Sequence, residues 1–285
     1  MSLKALIFDV DGTLADTEEA HRIAFNTAFA EVGLDWHWSR PQYAGLLLTT
    51  GGKERIAAHL HAQPLSAADR TALDGRIDEI HARKTRHYTR MIRGGVVPLR
   101  EGVQRLLQEA RAAGVALAIA STTTRAAVEA LLEVHLGRSA LGQFAVVGAG
   151  DCVARKKPAP DIYRWVLREL GAAAGDCAAL EDSAIGLAAA KGAGLFTVVT
   201  PSYWTRTEDF RGADLVLPSL DGTAPPAGGA GGTELGPGML TLREIGRRLE
   251  ARRHHTRGER IHGDTREDHH RIHHRGPAPL PRGDR

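Results

Sequence analysis

Apolar residues along this chain fall into short unbroken runs separated by longer stretches of helical period. The first run, Ala5 to Phe8, ends in a polar turn and reads as a buried strand. Val115 to Ala120, Phe144 to Val147, Cys177 to Leu180, Leu195 to Val199 and Asp214 to Leu217 repeat the pattern. Between them lie helical stretches: Glu101 to Ala113, stopped by Gly114; one after Thr124 to about His135; Pro160 to Leu170; and one to about Lys191. Strands alternating with helices predict an α/β fold with a parallel sheet covered on both faces.

The alternation is interrupted once. Residues 15–93 are helical throughout. Ile23, Phe25, Ala28, Phe29 and Val32 form one apolar stripe, and Gly33 ends it. Gly51-Gly52 separates Gln42–Leu48 from a helix over Lys53 to His61, and Ser66 caps a long helix predicted to run to about Arg90. This segment predicts a small helical unit inserted after the first strand.

Composition adds limits. The 285 residues, 42% hydrophobic, suffice for one α/β core and a smaller unit. No run reaches the roughly 18–20 apolar residues of a membrane span, and the start shows no basic-then-apolar leader. Two cysteines, Cys152 and Cys177, give no disulfide framework, so a cytoplasmic location is expected. The net charge of +3 is uneven: residues 243–285 hold 12 Arg against 7 Asp and Glu, while the rest carries a small negative excess. Nucleic acid is therefore not an expected partner of the body. Residues 222–238 are rich in Gly, Pro and Ala and read as a linker. Residues 239–256 admit one Arg-rich helix. The whole extension 222–285 is expected to be disordered, because it has little apolar surface to offset ordering entropy. The core then ends with the strand near Leu217.

The candidate chemistry stands at the carboxyl ends of the strands, where open parallel sheets bind ligands. Asp9 and Asp11 follow the first strand, and two adjacent bare carboxylates call for a cation or a shared proton. A hard cation with oxygen ligands, Mg²⁺, answers this and also takes substrate phosphate. Ser121 follows the second strand, Lys157 the third, and Glu181 and Asp182 the fourth.

Together these residues resemble the four motifs of the haloacid dehalogenase-like hydrolases: Asp9-Val-Asp11-Gly12-Thr13, Ser121, Lys157-Pro158 and Glu181-Asp182-Ser183. The resemblance implies a Rossmann-like core formed by residues 1–14 and 94–221, with a small helical cap over 15–93. It implies a Mg²⁺-dependent phosphotransferase. Asp9 would be the nucleophile and Asp11 the acid and base. Mg²⁺ would be held by Asp9, the Asp11 backbone carbonyl and Asp182, with Glu181 acting directly or behind them. Ser121 and the amides after it, at Thr122 and Thr123, would hold phosphate oxygens, and Lys157 would balance charge.

Within that superfamily, Thr49-Thr50-Gly51-Gly52-Lys53-Glu54-Arg55-Ile56, Glu18-Glu19-x-His21, the Thr122–Thr124 run and Lys156-Lys157-Pro-x-Pro-Asp-Ile-Tyr163 resemble the CbbY family. That family removes a phosphate from xylulose 1,5-bisphosphate, an inhibitory by-product of rubisco in carbon fixation. The resemblance implies a small sugar bisphosphate as partner, and a monomer is expected. Gly51 and Gly52 let amides approach an anion, and Lys53 and Arg55 add positive charge. Tyr43, Lys84, His21 and Glu18 are further cap candidates. A sugar phosphomutase and a phosphoglycolate-type phosphatase share these motifs and stay open, as does metal or nucleic-acid binding by the His-rich tail.

Overall fold

The computed structural model describes residues 3–222 and 239–267. Six strands form one sheet: β1 (Ala5–Phe8), β2 (Ala116–Ser121), β3 (Val146–Ala149), β4 (Cys177–Glu181), β5 (Phe196–Val199) and β6 (Leu215–Val216). All pairings are parallel, and the order is β3-β2-β1-β4-β5-β6. The expected third strand was placed two residues early. Phe144 closes a 3₁₀ turn through its N–H to Leu141 O, so pairing begins only where Val146 meets Ala118.

The core helices are α6 (Val103–Ala112), α7 (Arg125–Leu136), α8 (Asp161–Leu170) and α9 (Ala184–Gly192). Alternate residues of β1 feed opposite faces of the sheet. Leu6 and Phe8 join one apolar cluster with Leu106, Leu131 and Val198; Ala5 and Ile7 join another with Ile162, Tyr163 and Val166.

Between β1 and α6 lie α1 (Glu18–Glu31), α2 (Arg40–Leu46), α3 (Gly52–His61), α4 (Ala67–Asp74) and α5 (Ile77–Arg93). Phe25, Phe29, Trp38, Tyr43, Ile56 and Ile80 form their own buried cluster. Ile23 faces outward instead, and Ala24 takes its place in the interior. The single long helix expected after Ser66 is two. Gly75 weakens the helix, and Arg76 leaves it to donate to Val32 O at 3.3 Å.

The expectation of a disordered extension fails over its described part. α10 (Leu242–Glu267) forms, and Leu240, Leu242, Ile245 and Leu249 are buried in the main core cluster. Arg105 donates to Leu220 O and Leu240 O, both at 3.0 Å, and Leu242 N–H donates to Glu109 at 2.8 Å. Leu242, Ile245 and Leu249 at helical spacing, with Leu240 just before the helix, were enough to override a basic composition. Residues 223–238 and 268–285, the linker and the end of the expected tail, lie outside the described residues. Ile245→Ala should lower stability by about 2–5 kcal/mol, read as a lower urea midpoint with KM unchanged. An unshifted midpoint would show that α10 adds nothing to the core.

Candidate active site

The parallel register brings the strand ends to one edge. Asp9 N–H donates to Leu180 O at 3.0 Å, which sets Asp9 beside Glu181 and Asp182. Gly12 makes the turn after Asp11 with φ of 79°, and a Cβ there would overlap the Asp182 carboxylate. Ser183 caps α9, its Oγ accepting from Gly186 N–H at 3.1 Å.

Asp9, Glu181 and Asp182 are buried, and their carboxylate oxygens can lie within 4.8 Å of one another. Lys157 Nζ enters this cluster, 2.6 Å from Asp9 Oδ1 and 2.6 Å from Glu181 Oε1. Burial alone would lower its pKa, but Asp9 and Glu181 outweigh it and raise it. Burial raises Asp9 well above the ordinary carboxylate range, the Glu181 and Asp11 charges add to this, and Lys157 opposes it. Asp182 is likewise raised by burial, then by Asp9 and Glu181. Three carboxylates against one ammonium is a donor set that suits a hard divalent cation. Glu181 also accepts from Tyr163 Oη and does not line the cavity, so of these three carboxylates Asp9 and Asp182 face it.

Asp11 turns the other way. Its carboxylate accepts from Thr17 Oγ1 at 2.6 Å, from His21 Nε2 at 3.0 Å, and from Thr123 Oγ1. Burial would raise it, but His21 and these hydrogen bonds prevail and hold it well below the ordinary range. His21 Nδ1 lies 2.6 Å from Lys84 Nζ, and the ring stacks on Tyr88 at 3.8 Å. Burial, then the Lys84 charge, lowers the His21 pKa, with Asp11 opposing. A neutral ring accepting at Nδ1 and donating from Nε2 satisfies both neighbours. Burial also brings Lys84 down to about 7, against the pull of Asp11.

A cavity of about 130 Å³ joins these groups to the helical segment. From the sheet it takes Asp9, Asp11, Thr122, Thr123, Lys157 and Asp182. From the helices it takes Glu18, His21, Gly51, Gly52, Arg55 and Lys84. Gly51 adopts φ of 99° at the start of α3. Arg55 donates to Leu46 O at 3.1 Å and to Tyr43 Oη at 2.7 Å, and Tyr43 Oη donates to Glu18 at 2.7 Å. Besides Glu181, three expected residues stand back from the cavity. Tyr43 supports Glu18 and Arg55 from behind. Lys53 points outward and pairs with Asp78 at 2.8 Å. Ser121 is fully buried, its Oγ accepting from Thr123 N–H at 3.1 Å.

Sequence reasoning missed His81, Thr85 and Tyr88, which join Lys84 in lining the cavity. Their spacing on α5 places them with Lys84 on one helix face, a readable signal. Burial, then the Lys84, Lys53 and Lys156 charges, lowers His81 to about 4. Thr17 was also missed, and Tyr163 was read only as the end of a motif and not as the partner of Glu181.

A family model described as haloacid dehalogenase-like hydrolase matches residues 3–194. The chain belongs to that family. Among curated relatives, Protein CbbY from a Cupriavidus necator plasmid is 53% identical over 224 residues, covering 79% of this chain and 88% of its own. Protein CbbY of Rhodobacter capsulatus is 51% identical, covering 80% of this chain and 98% of its own. A crystal structure of a CbbY variant from Rhodobacter sphaeroides, in complex with xylulose 1,5-bisphosphate, superposes with a TM-score of 0.71 at 49% identity, covering 76% of this chain and 94% of that one. This haloacid dehalogenase-like hydrolase is thus a phosphatase. Among the described residues, no helix is long and apolar enough to cross a membrane.

Proposed function

We propose that this phosphatase removes one phosphate from xylulose 1,5-bisphosphate through an aspartyl-phosphate on Asp9, with residues 15–93 acting as a cap over the core. One observation carries this reading. The cavity has a polar floor of Asp9, Lys157 and Asp182 and a separate polar wall of Glu18, Arg55 and the Gly51-Gly52 turn. A sugar with a phosphate at each end needs both. The likeness to a CbbY structure holding that bisphosphate supports the same choice.

In this reading Asp9 attacks phosphorus, and the bond to the sugar oxygen breaks. Asp11 gives that oxygen its proton, then takes one from the water that cleaves the aspartyl-phosphate. Lys157 balances charge on Asp9 and the phosphoryl oxygens. Ser121 stands behind the cavity and fixes the Thr122–Thr123 turn there, its Oγ accepting from Thr123 N–H. Asp9 and Asp182 would hold Mg²⁺, which supplies charge neutralisation when bound.

Inorganic phosphate release over a panel of sugar mono- and bisphosphates tests the proposal. A pentulose bisphosphate should lead, without any bisphosphate activator. A need for such an activator, with a sugar phosphate isomer as product, would make the protein a mutase. Arg55→Ala should lower kcat/KM on the pentulose bisphosphate about 10–150-fold, the range of a charge-assisted hydrogen bond, with little change on nitrophenyl phosphate. Lys53→Ala should change neither, because Asp78 holds Lys53 outside the cavity. A loss at Lys53 equal to that at Arg55 would place the far phosphate on the other side of α3.

Lys84 gives a pH dependence. With a pKa of about 7 it is an ammonium below that pH and loses its charge above it. KM for the bisphosphate should therefore rise from pH 7 to 9 in the wild type. Lys84→Met should have a higher KM at pH 6 and a flat profile across that window.

A further inference from the structure

The loop between β5 and β6 reaches two parts of the site with neighbouring side chains. Thr205 Oγ1 donates to Asp182 O at 2.7 Å and lies 3.3 Å from Asp182 Oδ2. The same oxygen accepts from Ser202 N–H at 2.9 Å, which fixes the turn. One residue earlier, the Trp204 indole crosses to the helical segment. It meets Tyr43 edge to face, with centroids 5.6 Å apart and planes at 84°. Tyr43 is the side chain that holds Glu18 and Arg55 in place. Tyr203 also meets the indole edge to face, at 5.5 Å and 88°.

Both ends of the loop are fastened. Arg100 donates to Thr200 O at 2.6 Å and Pro201 O at 2.9 Å, and also to Gly12 O in the turn after Asp11. At the far end Glu208 accepts from Ala184 N–H at 2.6 Å, at the start of α9 just past Asp182. The segment is therefore held rigidly to the turns that carry Asp11 and Asp182. A single unsecured surface loop would not need contacts of this kind at both ends.

We propose that residues 200–208 are a positioning element joining the two ends of the site. Trp204 is its specificity-determining residue, seating the Tyr43–Glu18–Arg55 group on the core. Thr205 keeps Asp182 aimed into the cavity. Contact with the sugar's far end is thereby registered against the place where phosphorus reacts. This rests on the reading that the helical segment holds the part of the substrate that does not react. A small aryl phosphate has no such part and does not depend on the seat.

Two variants separate the roles. Trp204→Ala should raise KM for the pentulose bisphosphate about 3- to 10-fold, the reach of one aromatic pair, with kcat nearly unchanged. Its kcat/KM on nitrophenyl phosphate and its Mg²⁺ affinity should stay at wild-type values, and Trp204→Phe should recover most of the loss. Thr205→Val should weaken Mg²⁺ binding about 10-fold in calorimetry without substrate, as loss of a ligand's hydrogen-bond partner does. Equal losses on both substrates in Trp204→Ala would overturn the assignment. So would a Thr205→Val titration that overlays the wild type. If the bisphosphate reading itself is wrong, the wild type will prefer another sugar phosphate, and the KM comparison is then made on that one.

Discussion

Replacing Asp9 with Asn should abolish phosphate release from every ester, a loss on the order of 10⁴-fold or more. An amide does not attack phosphorus, and no other carboxylate that faces the cavity is bound to Lys157. The fold should survive. Lys157 keeps Glu181 at 2.6 Å, and Glu181 keeps Tyr163. Stability should even rise in metal-free buffer at neutral pH. The Asp9 pKa is raised by burial, so its favourable contribution is complete below the unfolded value and is lost as pH climbs through the folded one. Above that point the ionised form is a burden, and Asn removes it. Melting curves in EDTA at pH 5 and pH 8 check the sign: the variant's gain over wild type should be larger at pH 8. A variant that still turns over, or that melts far below wild type at both pH values, would remove Asp9 from the nucleophile's position.

The sheet was legible in the sequence because buried parallel strands are continuous apolar runs, and Ala5–Phe8 and Cys177–Glu181 stand out from any neighbour. The floor of the site was legible for the same reason. A parallel register puts residues that follow such runs at one edge, so Asp9, Lys157, Glu181 and Asp182 could be assembled before any coordinates. The wall was harder. Lys53 and Arg55 differ by two positions on α3, which turns them to different sides of the helix. Sequence credited both, but only Arg55 reaches the cavity. His81 was not singled out, although its spacing to Lys84, Thr85 and Tyr88 was regular. A helix within 239–256 was admitted, but the packing of α10 was misjudged because composition averages over a segment, whereas burial depends on four particular residues. Thr205 and Arg100 act through backbone carbonyls distant in sequence, and no local pattern encodes that.

Asp11→Asn should give a different signature, one that depends on the leaving group. For a sugar ester the departing alkoxide is a strong base and needs a proton as it leaves, so the loss should be about 10²–10⁴-fold. Asp11 is suited to this in an unusual way. Three donors from Thr17, His21 and Thr123 favour its ionised form. A phosphoryl group brought beside it adds negative charge and raises its pKa toward a value at which it carries a proton. The Lys84 ammonium supplies that proton through the ring: His21 Nε2–H passes to Asp11 as Nδ1 takes a proton from Lys84 Nζ, leaving His21 neutral and Lys84 an amine. Nitrophenolate is a weak base and leaves without help, so the first step on nitrophenyl phosphate should be nearly normal in the variant. The second step should not be, because water attacking the aspartyl-phosphate still needs a base. Rapid mixing of Asp11→Asn with nitrophenyl phosphate should therefore show a burst of about one nitrophenolate per chain, followed by slow turnover. Phosphate release should have no burst and should match the slow phase. Equal slowing of both products from the first turnover would leave Asp11 as a group that places the substrate, with proton transfer assigned elsewhere.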